Sequence, residues 1–143
     1  MQTFLPFTDF TLSITTLDYR RLGKQRVEAL QIINSLSDPN YGYRHHPVKL
    51  LWANHVDALK YYCNLCIQEW ELRGYNNSMD YYTLPEYVEL PIFSMELYIS
   101  HQSNLLRKDH AHYSQYFNVP SDLPYVWSEP VNSITIENVL FRS

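Results

Sequence analysis

Asp18-Tyr19-Arg20-Arg21-Leu22-Gly23-Lys24-Gln25-Arg26-Val27-Glu28 runs straight into Ala29-Leu30-Gln31-Ile32-Ile33-Asn34-Ser35-Leu36, and one helical period fits both halves. At 100° per residue, Leu22, Ala29, Leu30, Ile33 and Leu36 gather on one side. Arg20, Arg21, Lys24, Glu28 and Gln31 gather on the other. Arg26 falls near the apolar side, so its stem must reach out of the core or its head must meet a buried acceptor. The stretch puts four basic residues into eleven positions. They occupy the first half of the helix, where the macrodipole disfavours cations, and few acids oppose them. A solvated surface is the ordinary reading of a polar helix face. A face that cannot neutralise itself suits an anion, phosphate being the commonest.

The chain has 143 residues and a formal net charge of −4. That length supports one domain with a real core, and the acidic balance argues against a protein that coats nucleic acid non-specifically. The charge is uneven. Residues 1–60 carry seven Lys/Arg against five Asp/Glu, and residues 61–143 carry four against ten. An anion site is therefore expected mainly from the first half. No apolar run approaches a membrane span, and no basic-then-apolar leader opens the chain, so no membrane partner and a cytoplasmic location are expected. Cys63 and Cys66 form a Cys-x-x-Cys pair inside a helical pattern. No second pair accompanies them and no His follows at zinc-finger spacing, so they read as core residues, with no metal and no cofactor expected.

The remaining elements follow from punctuation and period. Met1 to Phe10 is apolar and aromatic and reads as an extended segment packed onto the body. Asp9 or Ser13 suits the cap of a short helical lead-in, with the main helix then running to about Leu36. Ser37 to Gly42 is a turn by composition. Arg44-His45-His46-Pro47 opens a second helix that ends at Gly74, with Leu51, His55, Leu59, Tyr62, Cys66 and Trp70 on one stripe. A histidine such as His55 on a core stripe is more often satisfied inside than used, yet it joins the candidate binding residues. Arg44, His45 and His46 sit before the helix, where free amides favour an anion. Residues 75–91 read as an acidic, tyrosine-rich loop. Ser94 suits the cap of a third helix through Leu106, and Asp109 the cap of a short one through Tyr116. The donor-rich run His101, Gln102, Asn104, Arg107 and Lys108 supplies further candidates. Pro120, Pro124 and Pro130 exclude a long helix from the tail, and Ile134-Thr135-Ile136 reads as a short strand. The expected fold is mostly α: a compact single helical domain over residues 1–143, with long ordered loops and an extended C-terminal segment.

The chain resembles the pyrimidine-dimer DNA glycosylase/endonuclease V family of small phage and bacterial proteins. The resemblance runs through Leu17-Asp18-Tyr19-Arg20-Arg21-Leu22, Leu51-Trp52-Ala53-Asn54-His55-Val56 and Glu71-Leu72-Arg73-Gly74-Tyr75. It continues more weakly at Ile99-Ser100-His101-Gln102 and His112-Tyr113-Ser114-Gln115-Tyr116. A bacterial subgroup is closer, through Leu-Gly-Lys-Gln-Arg-Val-Glu, His-Pro, Ser-His-Gln-Ser-Asn-Leu-Leu-Arg-Lys and Leu-Pro-Tyr-Val-Trp. Coverage is about residues 1–127.

The resemblance implies a compact helical fold that acts on damaged DNA as a glycosylase with abasic-site lyase activity. An N-terminal amine attacks deoxyribose C1′ and forms a Schiff base, a first-helix glutamate assists, and a nucleotide is flipped out. An α-amine suits this because its ordinary pKa is near neutral. Two positions depart from the family pattern. Position 2 is Gln2, which leaves the Met1 amine as the candidate nucleophile. Arg21 stands where the family's glutamate follows the helix arginine, which leaves Glu28, two turns on along the same face. The contrasting expectation is a non-catalytic binder that holds a nucleotide on the same scaffold, such as a phage protein that sequesters a signalling nucleotide. A third is an interaction module whose tyrosines face a protein. DNA or a phosphate-bearing nucleotide is the expected partner.

Overall fold

A computed structural model describes residues 1–42 and 45–142. The fold is mostly helical. Its elements in order are α1 (Phe10–Thr15), α2 (Tyr19–Ser37), α3 (Lys49–Trp52), α4 (Val56–Leu72), β1 (Tyr87–Ile92), α5 (Met95–Lys108), α6 (His110–Tyr113) and β2 (Asn132–Glu137). No helix among the described residues is long and apolar enough to cross a membrane.

Helices α2 and α4 pack along their lengths and form the centre. From α2, Leu22, Ala29, Ile32 and Ile33 are buried; from α4, Leu59, Tyr62, Cys66 and Ile67 are fully buried. The approach is close at Gly23, where an added Cβ would lie 2.9 Å from the Trp70 ring. Arg26 is half-buried, and its head meets a half-buried acceptor. Its guanidinium lies 4.4 Å over the Trp70 ring and donates to Asn77 Oδ1 at 2.9 Å, a cation–π contact plus a polar acceptor. Both cysteines are buried and free, and Cys63 Sγ meets the Arg26 carbonyl at 3.6 Å.

Local chemistry accounts for several boundaries. Asp9 caps α1 by accepting from Leu12 N–H at 2.7 Å. Gly74, at φ +90°, closes α4, with Tyr75 N–H returning to the Trp70 carbonyl. Asp109 caps α6 through His112 N–H. The strand read at Ile134–Ile136 is the centre of β2.

Two expectations are corrected. The second helix is two helices, broken at Ala53–His55. No glycine or proline marks the break, so it is tertiary. Trp52 is fully buried, with its indole N–H on Thr3 Oγ1 at 2.9 Å, while α4 aligns with α2. His55 is the residue before α4 rather than part of a continuous stripe. Residues 75–91 are also not all loop. Tyr87–Ile92 is β1, paired antiparallel with β2 from Tyr87↔Glu137 to Ile92↔Asn132. Pro91 obscures the strand in the sequence, but each strand of a two-stranded sheet has an open edge where a missing N–H is tolerated.

Candidate functional site

The N-terminal segment organises the site. Residues 2–6 are buried without belonging to a helix or strand. A buried main chain needs partners, and the surrounding helices supply them from side chains. Gln25 of α2 donates to the Gln2 carbonyl at 2.6 Å and accepts from Phe4 N–H at 2.9 Å. Glu28 accepts from Gln2 N–H at 2.7 Å. Tyr62 of α4 donates to the Phe4 carbonyl at 2.7 Å. From α5, His101 Nδ1 accepts from Leu5 N–H at 2.8 Å, and Gln102 donates to the Pro6 carbonyl at 2.8 Å. The chain is thus held residue by residue up to Gln2.

Met1 follows from that grip, half-buried in the wall of a cavity of about 410 Å³. Arg20, Arg21, Lys24 and Glu28 line it from α2, Lys108 from the end of α5, and Phe4 and Tyr125 add rings. Glu28 is the acid among these residues. Its second oxygen lies 3.5 Å from Lys24 Nζ, an i,i+4 pair on the same face. A second cavity of about 600 Å³ adjoins, walled by Asp18, Tyr19, Arg73, Asp109 and His112 together with Arg20, Arg21 and Lys108 again.

Burial sets the charge states around the cavity. Asp18 precedes α2 but makes no side-chain cap. Its carboxylate accepts from the Tyr113 hydroxyl and pairs with Arg21 at 3.3 Å. Burial alone would raise the Asp18 pKa; the Tyr113 hydrogen bond and Arg21 outweigh it and hold it below the ordinary value. Lys108 is pushed down by burial, then by Arg21, Lys24 and Arg107, with Glu28 opposing. His46 is pushed down by burial and then by the N-terminal amine, again with Glu28 opposing. That places His46 within electrostatic range of Met1.

The candidate residues divide clearly. Met1, Glu28, Arg20, Arg21, Lys24 and Lys108 come together around one cavity. His46 stands near it, its Nδ1 accepting from Val48 N–H and its ring edge-on to Trp127. His45 is exposed. Arg44 lies outside the described residues. His55 is elsewhere, 3.2 Å from Glu89 of β1. The other α5 donors are bonded to the chain's own groups. His101 is fully buried, and burial drives its pKa to about 3, so the ring is neutral. Asn104 donates to the Ser100 and Leu123 carbonyls, and Arg107 to the Ser121 carbonyl at 2.8 Å. These two tie down the C-terminal segment.

Sequence reasoning missed Gln2, Phe4, Gln25 and Tyr125. Gln25 carried a usable signal: it lies three residues from both Leu22 and Glu28, between the apolar and polar faces. Tyr125 had none beyond its place in an aromatic stretch. Among the described residues, no cluster of His, Cys, Asp and Glu could hold a metal ion.

Residues 1–83 match the family model described as pyrimidine dimer DNA glycosylase. No curated protein and no solved structure matches the chain.

Proposed function

The chain belongs to the pyrimidine dimer DNA glycosylase family, and from that premise we propose that it is a DNA-repair glycosylase with abasic-site lyase activity, its nucleophile the Met1 α-amine. The observation that carries this reading is that Met1 lines the same cavity as Arg20, Arg21, Lys24 and Glu28.

The chemistry divides among these residues. The amine lone pair attacks C1′ of the damaged nucleotide, and the C1′–N bond breaks with its electrons leaving on the base, which takes up a proton. Opening of the C1′–O4′ bond and loss of a proton from the amine give the imine. Loss of the C2′ proton then expels the 3′-phosphate. Glu28 is one peptide from the amine and is the carboxylate available to shuttle protons and face the developing cation. Arg20, Arg21, Lys24 and Lys108 hold the strand by its phosphates. Gln25 sets the amine's position through the Gln2 and Phe4 main chain.

A specific observation favours the second reading, a non-catalytic nucleotide binder. Both Glu28 oxygens are engaged, one by Gln2 N–H and one by Lys24. Borohydride reduction separates the two. With Met1 verified as the first residue by intact mass, the protein is expected to form a covalent adduct on abasic-site DNA, mapping to Met1. Acetylating or extending the terminus should abolish the adduct. No adduct on either abasic or ultraviolet-damaged DNA, with retained binding of nucleotides, would leave the binder.

A further inference from the structure

Gln2 adjoins the reactive end of the chain, and its side chain is only half used. Its Oε1 accepts from the Thr3 N–H at 2.8 Å, which fixes the orientation of the amide and leaves Nε2 as the donor. That nitrogen is shielded from water and has no hydrogen-bond partner. The residue is 5% exposed and lines the cavity of about 410 Å³ beside Met1. Among the described residues, Gln2 alone combines a place in that wall with an orphaned buried polar atom. We propose that the Gln2 amide is a catalytic residue for base departure, its Nε2–H donating to O2 of the leaving pyrimidine. The proposal rests on the glycosylase reading above and assigns the group that faces its leaving base.

A buried amide N–H without an acceptor is costly, and folded proteins keep few of them. The neighbouring polar groups are matched: Gln25 takes both the Gln2 carbonyl and the Phe4 N–H, and Glu28 takes the Gln2 N–H. The unmet donor is therefore a single one, beside the nucleophile. Its reach follows from chain geometry. The Cα of Gln2 lies one trans peptide, about 3.8 Å, from that of Met1. O2 is bonded to the ring carbon next to the nitrogen that leaves C1′. A nucleotide set with C1′ against the Met1 amine thus carries O2 into the range of the Gln2 side chain. A small turn of that flexible side chain brings Nε2 out to the wall.

The chemistry calls for a donor at this point. When the C1′–N1 bond breaks, its electron pair goes to the base and spreads from N1 onto O2. An N–H held at O2 stabilises that charge more than it stabilises the uncharged ground state, which lowers the barrier. The proton shed by the attacking amine is the one that N1 finally takes, so the step balances. The cavity's cations have other work: Lys24 is paired with Glu28 and Arg21 with Asp18, and together they face phosphates. An abasic sugar has no base to release, so the Gln2 contact has no part in forming its imine.

Borohydride trapping under single-turnover conditions tests this, on one duplex sequence carrying either a pyrimidine dimer or an abasic site. Gln2→Leu and Gln2→Met keep a large second residue, so that Met1 stays in place, as intact mass would verify. Neither side chain can donate. The rate on the dimer is expected to fall about a hundredfold, the scale of a lost oxyanion-hole donor. Misplacing the amine would slow both substrates alike, so the readout is the ratio of the two rates. That ratio should change by at least about tenfold in both variants. Equal losses on the two substrates, or no loss on the dimer, overturn the proposal and keep the glycosylase. A wild type that forms an adduct on abasic DNA and none on the dimer removes the contact and keeps the lyase. No adduct on either substrate removes the catalytic reading itself, and the contact with it.

Discussion

Residues 2–6 and the β1–β2 ladder are both extended chain, yet they are held in opposite ways. The ladder pairs main chain with main chain in a regular register, and much of its side-chain surface faces water. Residues 2–6 have no neighbouring strand. Side chains from α2, α3, α4 and α5 reach them instead, each from a different direction. A ladder can slip or fray while the rest of the molecule stands. A segment gripped by four helices cannot move unless they do, so the position of Met1 is a property of the whole helical body. That is the kind of support a reactive terminus requires.

Gln25→Leu is the most severe way to break this contrast. The substitution removes both hydrogen bonds of a buried amide and strands the Gln2 carbonyl and the Phe4 N–H. At about 1–3 kcal/mol for each buried group left unpaired, the loss should total about 2–6 kcal/mol. Urea midpoints at constant slope measure it. The adduct yield on abasic DNA should fall further than the loss of folded protein explains. A loss below about 0.5 kcal/mol, the scale of an ordinary surface change, would mean that the segment is held by apolar contact alone.

The next effect is pH-dependent. The folded state keeps His101 neutral down to about pH 3, whereas an unfolded histidine takes a proton near pH 6.5. With the folded pKa depressed, this contribution to stability is complete above about pH 6.5 and is lost as pH falls toward 3. The slope is about 1.4 kcal/mol per pH unit, or about 2 kcal/mol by pH 5. His101→Gln keeps an acceptor for Leu5 N–H and removes the titration. The variant should therefore lose less stability between pH 7 and pH 5 than the wild type. Parallel pH profiles would show that the ring is not sealed as the structure has it.

How much of this was legible depends on where the cause lay. The α2 face was readable because Leu22, Ala29 and Ile33 repeat with the helical period and the basic residues fall opposite. Asp9, Gly74 and Asp109 were readable because caps and left-handed turns are local chemistry. The interruption at Ala53–His55 was not, because its cause is Trp52 reaching Thr3 across the core. Strand β1 was hidden by Pro91, whose pairing partner lies 42 positions on. Of the cavity, the α2 wall could be read, and Lys108 stood out as a donor, but which residues face α2 could not be read. Lys108 and Tyr125 come from segments whose meeting is purely tertiary. The α5 donors were visible as donors, but a sequence does not say whether a donor's acceptor is a ligand or the chain's own carbonyl.

The smallest effect is expected in the ladder, and it fixes the other end of the scale. Ile134 of β2 is 54% exposed and opposes Leu90 of β1. Ile134→Thr keeps a β-branched residue suited to a strand, leaves the main-chain pairing intact, and removes apolar surface that is already half in water. The change in stability should stay within about 0.5 kcal/mol, and the adduct yield on abasic DNA should match the wild type. Ile134 does line a shallow apolar groove of about 370 Å³ with Tyr61, Leu90 and Ile92, so a larger loss has an identifiable source. A drop above 1 kcal/mol would mean that the sheet packs on the body more tightly than its exposure suggests. A matching fall in adduct yield would go further, because it would tie the sheet to the segment that aims Met1.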